Sequence, residues 1–194
     1  MKNLAIFASG NGSNAQNISE HFNSKNTARV KIIICNKPDA YVLERAAALG
    51  IPSFVLTREE LTAETPSALL ALLKEQEIDY IILAGYLLKI PVSLVEAYPG
   101  RIINIHPALL PKFGGKGMYG RHVHQAVINA GETVSGITIH LVDSHYDSGA
   151  HLFQATCPVL TDDTPDSLAQ RIHSLEKEHF GKEIEKYINE KEQL

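Results

Sequence analysis

Short apolar runs alternate along the chain with segments in which apolar residues recur every three or four positions. The apolar runs predict β-strands at residues 4–8, 30–35, 52–56, 78–84 and 101–103. The periodic segments predict helices, the first with Ser13 or Asn14 as its N-cap and the others at residues 42–49, 66–75 and 91–97. Strands and helices that alternate at this length predict an α/β fold. We expect a doubly wound, mostly parallel sheet with ligands at the carboxyl ends of its strands.

The pattern changes in the second half of the chain. A helix is predicted first and then two strands, at residues 121–130, 134–142 and 152–158. Ile137 and Ile139 share one face of the first strand, and His140 lies on the other. Because only a short turn separates the two strands, they should extend the sheet as an antiparallel pair. A long C-terminal helix is predicted after Thr164 as N-cap, with Gly181 as the point where it could kink or divide.

The composition indicates a globular cytoplasmic protein. With 44% hydrophobic residues, the 194 residues suffice for one domain, residues 1–194, with a sizeable core. The net charge of −4 argues against nucleic acid as the main partner. Cys35 and Cys157 lie far apart and predict reduced core thiols. The apolar runs at residues 4–8 and 80–88 are too short for a signal peptide and a membrane span, respectively, so no membrane partner is expected.

The first candidate site is the N-terminal loop, residues 9–14, with the sequence Ser-Gly-Asn-Gly-Ser-Asn. It joins a strand to a helix N-terminus, where free backbone N–H groups and the helix dipole favour an anion. The spacing Gly10-x-Gly12-x-x-Ala15 also fits a loose dinucleotide fingerprint, but that site prefers an acidic residue at the end of the second strand. Here that strand ends in Asn36-Lys37-Pro38. This favours a single phosphate, with a plain tight turn as the alternative.

The second candidate site is Asn104 and His106, which follow the strand at residues 101–103. Residues two apart at a strand end point the same way, so an amide and an imidazole could together stabilise an oxyanion. The alternative is that both merely cap backbone groups. The glycine-rich loop, residues 114–120, comes soon afterwards and is a candidate lid.

Asp147 is the expected charge partner of His106. A carboxylate raises the pKa of a neighbouring imidazole and favours its protonated form. Asp143 and His145 lie in the same turn and compete for these roles. A zinc site is the rival chemistry, using the histidines and the carboxylate His106, His122, His124, His140 and Asp147. Residues two apart on a helix point away from each other, which argues against chelation by His122 and His124.

Several motifs occur in an order that resembles the phosphoribosylglycinamide formyltransferase family. They are the N-terminal loop, Leu83-Ala84-Gly85-Tyr86, Asn104-Ile105-His106-Pro107-Ala108-Leu109-Leu110-Pro111, Gly136-Ile137-Thr138-Ile139-His140, Asp147-Ser148-Gly149 and the helix around Arg171 to Glu176. The resemblance covers essentially the whole chain and implies a Rossmann-like formyltransferase fold. It implies formyl transfer from 10-formyltetrahydrofolate, the cosubstrate, to the amine of glycinamide ribonucleotide in de novo purine biosynthesis. No metal and no other cofactor are implied, and a monomer or weak homodimer is expected.

The resemblance also implies roles for individual residues. Asn104 and protonated His106 would stabilise the oxyanion, with Asp147 keeping His106 charged and routing the amine's proton. The ribonucleotide would bind through Asn11, Gly12, Ser13, Asn14 and Glu176, and the folate through Leu87, Leu88, Lys89, Ile90, Asn104 and Tyr146. Residues 1–100 would form the ribonucleotide-binding half, and residues 101–194 the catalytic and folate-binding half.

Two features depart from the family pattern. Relatives often have Arg where this chain has Leu88, and Arg58 is the nearest replacement for a second Arg that binds the folate's glutamate tail. The glycine-rich loop is longer than in many relatives. The alternatives are a formyltetrahydrofolate hydrolase of the same fold, a metal-dependent hydrolase and a non-catalytic binding module. Related tRNA-formylating enzymes and hydrolases usually carry a further domain, for which 194 residues leave no room.

Overall fold

A single mixed sheet of seven strands organises the structure, a computed structural model that describes residues 1–193. The strands are β1 (Lys2–Ala8), β2 (Ala28–Cys35), β3 (Ser53–Val55), β4 (Tyr80–Leu83), β5 (Ile102–His106), β6 (Val134–Leu141) and β7 (His151–Pro158). Their spatial order is β3-β2-β1-β4-β5-β6-β7. The pairs among β1 to β5 are parallel, whereas β5–β6 and β6–β7 are antiparallel. The predicted doubly wound sheet and its C-terminal antiparallel strands are therefore confirmed.

Helices cover both faces of the sheet. They are α1 (Ser13–Asn23), α2 (Val42–Ala48), α3 (Arg58–Thr62), α4 (Ser67–Glu75), α5 (Val92–Ala97), α6 (Arg121–Asn129) and α7 (Pro165–Glu192). The residues of β1 show that both faces of the sheet are buried. Leu4 and Ile6 belong to the core cluster that includes α1 and α7, while Ala5 and Phe7 belong to the cluster with α4 and α5. No helix within residues 1–193 is long and apolar enough to cross a membrane.

Four local features of the structure differ from what the sequence predicts. Neither Ser13 nor Asn14 caps α1, because Gly12 occupies the N-cap with φ of 77° and the helix starts at Ser13 itself. The short helix α3 was not predicted, although Thr57 and Glu60 form a capping box at its start. α7 continues through Gly181 without a break. A Cβ at this position would lie 2.8 Å from the His21 ring, so glycine allows the close packing of α7 on α1.

The fourth difference concerns the candidate catalytic strand. Asn104 and His106 lie within β5 rather than after it, because both pair with residues of β6. Asn104 is opposite His140, and His106 is opposite Thr138. The pairing with β6 therefore fixes both side chains on a regular strand, which is more rigid than a loop.

The order of the strands reverses between β1 and β4, so the chain leaves these neighbours towards opposite faces. This is the position at which doubly wound sheets form a ligand crevice. Ser9 connects the segment that follows β1, to which it belongs, with the segment that follows β4. Its N–H donates to the Gly85 carbonyl at 3.1 Å. Its Oγ accepts from the Leu87 N–H at 3.0 Å.

Candidate active site

A cleft of about 850 Å³ lies at the carboxyl ends of the central strands. The N-terminal loop forms one part of its wall, and the residues after β4 form another. Asn104, His106, the glycine-rich loop and the turn that contains Asp147 line it as well. The residues that the resemblance assigns to the ribonucleotide, to catalysis and to the folate thus all line one cleft, as expected of a ligand site at a switch point in the sheet.

The N-terminal loop presents the start of α1 to the cleft. Gly12 is required there for two reasons, since its φ is +77° and a Cβ would lie 2.5 Å from the Val42 side chain. Asn14 donates from Nδ2 to Glu176 Oε2 at 2.9 Å. Glu176 is only 7% exposed. Burial raises the pKa of its carboxyl, and the bond from Asn14 offsets this only in part. Glu176 is therefore a buried acceptor of the cleft wall, not a solvated glutamate.

Asn104 is oriented by His140, which is 2% exposed. The His140 Nδ1 lies 2.8 Å from the Leu141 carbonyl, which can only accept, so Nδ1 carries a proton. In the neutral ring Nε2 is then an acceptor, and it lies 3.0 Å from Asn104 Nδ2. One amide hydrogen of Asn104 is used in this bond, and the other remains for a ligand.

His106 is held by the chain that follows it. Its Nε2 donates to the Phe113 carbonyl at 2.8 Å, and its Nδ1 lies 3.6 Å from Asp147 Oδ2. The expected pairing with Asp147 is present, but the expectation that it keeps His106 protonated is wrong for this state. Burial lowers the pKa of His106 below its ordinary value by more than the Asp147 charge raises it. The resting imidazole is neutral.

Asp147 is fixed at the meeting point of three groups. Its carboxylate accepts from the Gly115 N–H at 2.8 Å, and it lies 3.6 Å from both His106 and His140. Burial acts to raise the pKa of Asp147, but His140, the Gly115 N–H and His106 outweigh burial and leave the pKa below its usual value. The residue has φ of +52°, a strained conformation of the kind often found at functional sites.

The competing residues of the same turn have structural roles. Asp143 accepts from the His145 N–H at 2.8 Å and from Ser148 Oγ at 3.1 Å. Both bonds lie within the turn, so the Asp143 carboxylate stabilises the conformation of the turn itself. Of the two aspartates, Asp147 is therefore the one that faces His106.

Thr138 supports the segment that follows β5, a role that the sequence analysis missed. This residue is fully buried. Its hydroxyl donates to the Ala108 carbonyl at 2.7 Å and accepts from the Leu110 N–H at 3.0 Å. Gln154 Nε2 also donates to it at 2.9 Å. The strand-end turn is thereby attached to β6 and β7.

The part of the cleft wall that follows β4 is apolar and partly open. Leu87 and Tyr146 are 44% and 43% exposed, and Lys89 Nζ lies 5.7 Å from the centre of the Tyr146 ring. Leu88, Ile90 and the exposed Arg58 also line the cleft. An apolar wall with basic side chains beside it suits a planar ring that bears acidic groups.

Two of the histidines proposed for zinc, His106 and His140, lie beside Asp147. His122 and His124 are on α6, where His122 is exposed and His124 is 3% exposed. Burial, followed by the charge of His173, lowers the pKa of His124 to about 4. His124 lines the cleft, and its Nδ1 has no hydrogen-bond partner within residues 1–193. In the same described part of the chain, no three His, Cys, Asp or Glu side chains are grouped to hold a metal ion.

Comparisons with known proteins agree with this geometry. A chloroplastic phosphoribosylglycinamide formyltransferase of Arabidopsis thaliana is 46% identical over 92% of this chain, which spans 62% of that relative. The Bacillus subtilis phosphoribosylglycinamide formyltransferase is 39% identical over 97% of this chain and 95% of its own length.

Solved structures show the same relationship. The phosphoribosylglycinamide formyltransferase of Streptococcus pneumoniae superposes with a TM-score of 0.84 at 42% identity, over 95% of this chain and 97% of the other. Glycinamide ribonucleotide transformylase 1 of Geobacillus kaustophilus gives 0.88 at 37% identity, over 97% and 99%. The Formyl transferase family profile matches residues 2–184. The chain therefore belongs to the formyl transferase family.

Proposed function

We propose that the chain is a phosphoribosylglycinamide formyltransferase that uses 10-formyltetrahydrofolate to formylate the amine of glycinamide ribonucleotide in de novo purine biosynthesis. One observation carries this proposal. Asn104, His106 and Asp147 line the same cleft as an anion-type loop and an apolar wall. The names of the relatives with this fold and sequence support the same reaction.

The reaction needs one new bond and one broken bond. The amine nitrogen attacks the formyl carbon, and the carbonyl oxygen becomes an oxyanion. Asn104 donates its free amide hydrogen to that oxygen, and His106 supplies the second donor. As negative charge develops, it raises the pKa of neutral His106, whose Nδ1 takes up the proton that the attacking amine loses to Asp147. The Nε2–H then leaves the Phe113 carbonyl, to which it donates in the resting state, and donates to the oxyanion. The bond from the formyl carbon to the folate nitrogen then breaks, while Asp147 relays the same proton from His106 to that nitrogen and His106 returns to its neutral form.

The ribonucleotide lies against the N-terminal loop of the cleft in this proposal. Its phosphate accepts from the backbone of Asn11, Gly12, Ser13 and Asn14, where the first-turn N–H groups of α1 are free of intrahelical partners. Glu176 accepts from the ribose hydroxyls. Two hydroxyl donors and the Asn14 amide would stabilise its carboxylate against the effect of burial.

The folate occupies the apolar part of the cleft. Its pterin lies against Leu87, Leu88, Lys89 and Ile90, with Tyr146 and Asn104 opposite. Because Leu88 carries no charge, we assign the acidic glutamate tail to Arg58, which lines the same cleft. We propose that 10-formyltetrahydrofolate is the cosubstrate and that no metal takes part.

We further propose that residues 1–100 supply most of the ribonucleotide contacts and that residues 101–194 supply the catalytic groups. We also propose a monomer or weak homodimer in the cytoplasm. The two buried cysteines, Cys35 and Cys157, form no disulfide, as is usual in that reducing compartment.

The decisive experiment mixes the purified protein with 10-formyltetrahydrofolate, with and without glycinamide ribonucleotide. Release of deformylated folate that requires the ribonucleotide, and that is lost in His106→Ala, supports the transferase. Release without any acceptor would identify a hydrolase. No release under either condition would overturn the proposal.

A further inference from the structure

Arg45, on α2, forms hydrogen bonds with the N-terminal loop from outside the cleft. Its Nε donates to the Asn11 carbonyl and its Nη2 to Asn11 Oδ1, both at 2.9 Å. Its Nη1 donates to Gln16 Oε1, on the first turns of α1. The guanidinium also stacks over the Tyr41 ring, 4.8 Å from its centre. The planar fork is thus held by hydrogen bonds on one side and by an aromatic ring on the other.

The bond to the Asn11 carbonyl determines where the next N–H group points. The Asn11 carbonyl and the Gly12 N–H belong to one planar trans peptide, in which they point in opposite directions. Arg45 holds the carbonyl, so the Gly12 N–H is turned away from Arg45. Gly12 itself lines the cleft. The same bond keeps a partial negative charge, the carbonyl oxygen, away from a bound anion.

A second contact of α2 acts in the same direction. The Val42 N–H donates to the Gly10 carbonyl at 3.1 Å. Val42 also packs against Gly12 so closely that a Cβ there would lie 2.5 Å from its side chain. Successive carbonyls of the loop, those of Gly10 and Asn11, are therefore both bound by α2.

We propose that Arg45 is a positioning residue for the ribonucleotide phosphate. It orients the N–H groups of the N-terminal loop and adds a positive charge behind them. This inference rests on the proposed function, and it gives α2 a role in substrate binding that the sequence motif alone does not indicate. Lysine cannot replace the residue, because a single ammonium group cannot reproduce the planar fork that holds two oxygens of Asn11 and one of Gln16.

The test compares Arg45→Lys with the wild type on two acceptors, glycinamide ribonucleotide and its phosphate-free riboside. We expect KM for the ribonucleotide to rise about 10-fold or more, the scale of hydrogen bonds to a charged group. KM for the folate and kcat should not change, and both proteins should use the riboside equally. A matched control is Arg29→Lys, since Arg29 also donates to an asparagine side chain, Asn3, outside the cleft.

Two outcomes would overturn the inference: an unchanged KM for the ribonucleotide, or an equal loss on both acceptors. An equal loss would show general damage rather than a phosphate effect. Binding of ribose 5-phosphate, measured by calorimetry, gives a readout that does not depend on activity and should weaken by the same factor. If the wild type itself transfers no formyl group, the proposed function fails. If it does and Arg45→Lys behaves like Arg29→Lys, only this inference fails.

Discussion

Asn104 Nδ2 lies 3.0 Å from His140 Nε2, and the other nitrogen of that ring is bound to the Leu141 carbonyl. The two residues face each other across the antiparallel pair β5–β6. The backbone of β6 therefore sets the tautomer of His140, and that tautomer sets the orientation of the Asn104 amide. An oxyanion donor held in this way needs no reorganisation when charge develops.

His140→Leu should lower kcat by about 10- to 100-fold, because the Asn104 amide loses its acceptor and its fixed direction. KM for the ribonucleotide should change little, since none of its proposed contacts involves Asn104. His140→Gln retains an acceptor oxygen and should recover part of the loss. The control is His151→Leu, at the exposed position opposite His140 on β7. Steady-state kinetics would contradict this role if only KM changed.

Gly12→Ala should destabilise the protein and raise KM for the ribonucleotide. A positive φ costs a residue with a side chain about 1–2 kcal/mol, and at Gly12 the new Cβ would also meet Val42. Gly50→Ala is the matched control, with φ of +67° and no neighbour within 4 Å. Urea unfolding should show the larger loss for Gly12→Ala. Equal losses would mean that the clash with Val42 adds nothing to the loss of stability.

Thr138→Val should reduce the free energy of unfolding by about 1–3 kcal/mol, the cost of leaving buried polar groups unpaired. The change preserves shape but removes the partner of the Leu110 N–H and the Ala108 carbonyl. Activity should fall as well, because these groups belong to the turn that follows His106. Thr156→Val, at an exposed position of β7, is the control. Denaturation curves that coincide for the two variants would contradict the role of Thr138.

Stability should fall in mild acid because of His124. Its pKa is about 4 in the folded protein and 6.5 as the ordinary value, so the unfolded chain takes up the proton more readily. The free energy of unfolding should therefore decrease as pH falls from about 6.5 towards 4, by at most about 3 kcal/mol from this residue.

Urea unfolding at several pH values tests this effect of His124. His124→Gln should flatten the dependence over that range, while His122→Gln, at an exposed position of the same helix, should leave it unchanged. A slope that is identical in the wild type and in His124→Gln would disprove the assignment.

The sequence predicts the larger features of this molecule because they depend on local patterns. Alternating apolar runs and helical stripes predict the doubly wound sheet, and the short turn between residues 142 and 152 predicts the antiparallel pair β6–β7. The side-chain period of a strand also predicts that Asn104 and His106 share a face. Both residues line the cleft.

The missed features depend on packing between distant segments. The roles of Thr138 and His140 follow from the register of β6 against β5, which no local pattern shows. The neutral state of His106 follows from its burial, whereas the sequence shows only the charges of its neighbours. The hydrogen bond from Arg45 to the Asn11 carbonyl likewise joins residues that are 34 positions apart. The capping box of α3 was the one local signal that was overlooked.

Ser9 has a consequence for the rate of the proposed reaction. Its two bonds connect the N-terminal loop to Gly85 and Leu87, so the walls proposed for the two substrates share one rigid support. The distance between the attacking nitrogen and the formyl carbon is then set by the scaffold and not by diffusion of two independent ligands. Well-oriented groups held in this way can reach effective molarities of about 10⁵ M or more. Ser9 therefore holds the two proposed binding walls at one fixed separation, so that the bound substrates meet in a single geometry.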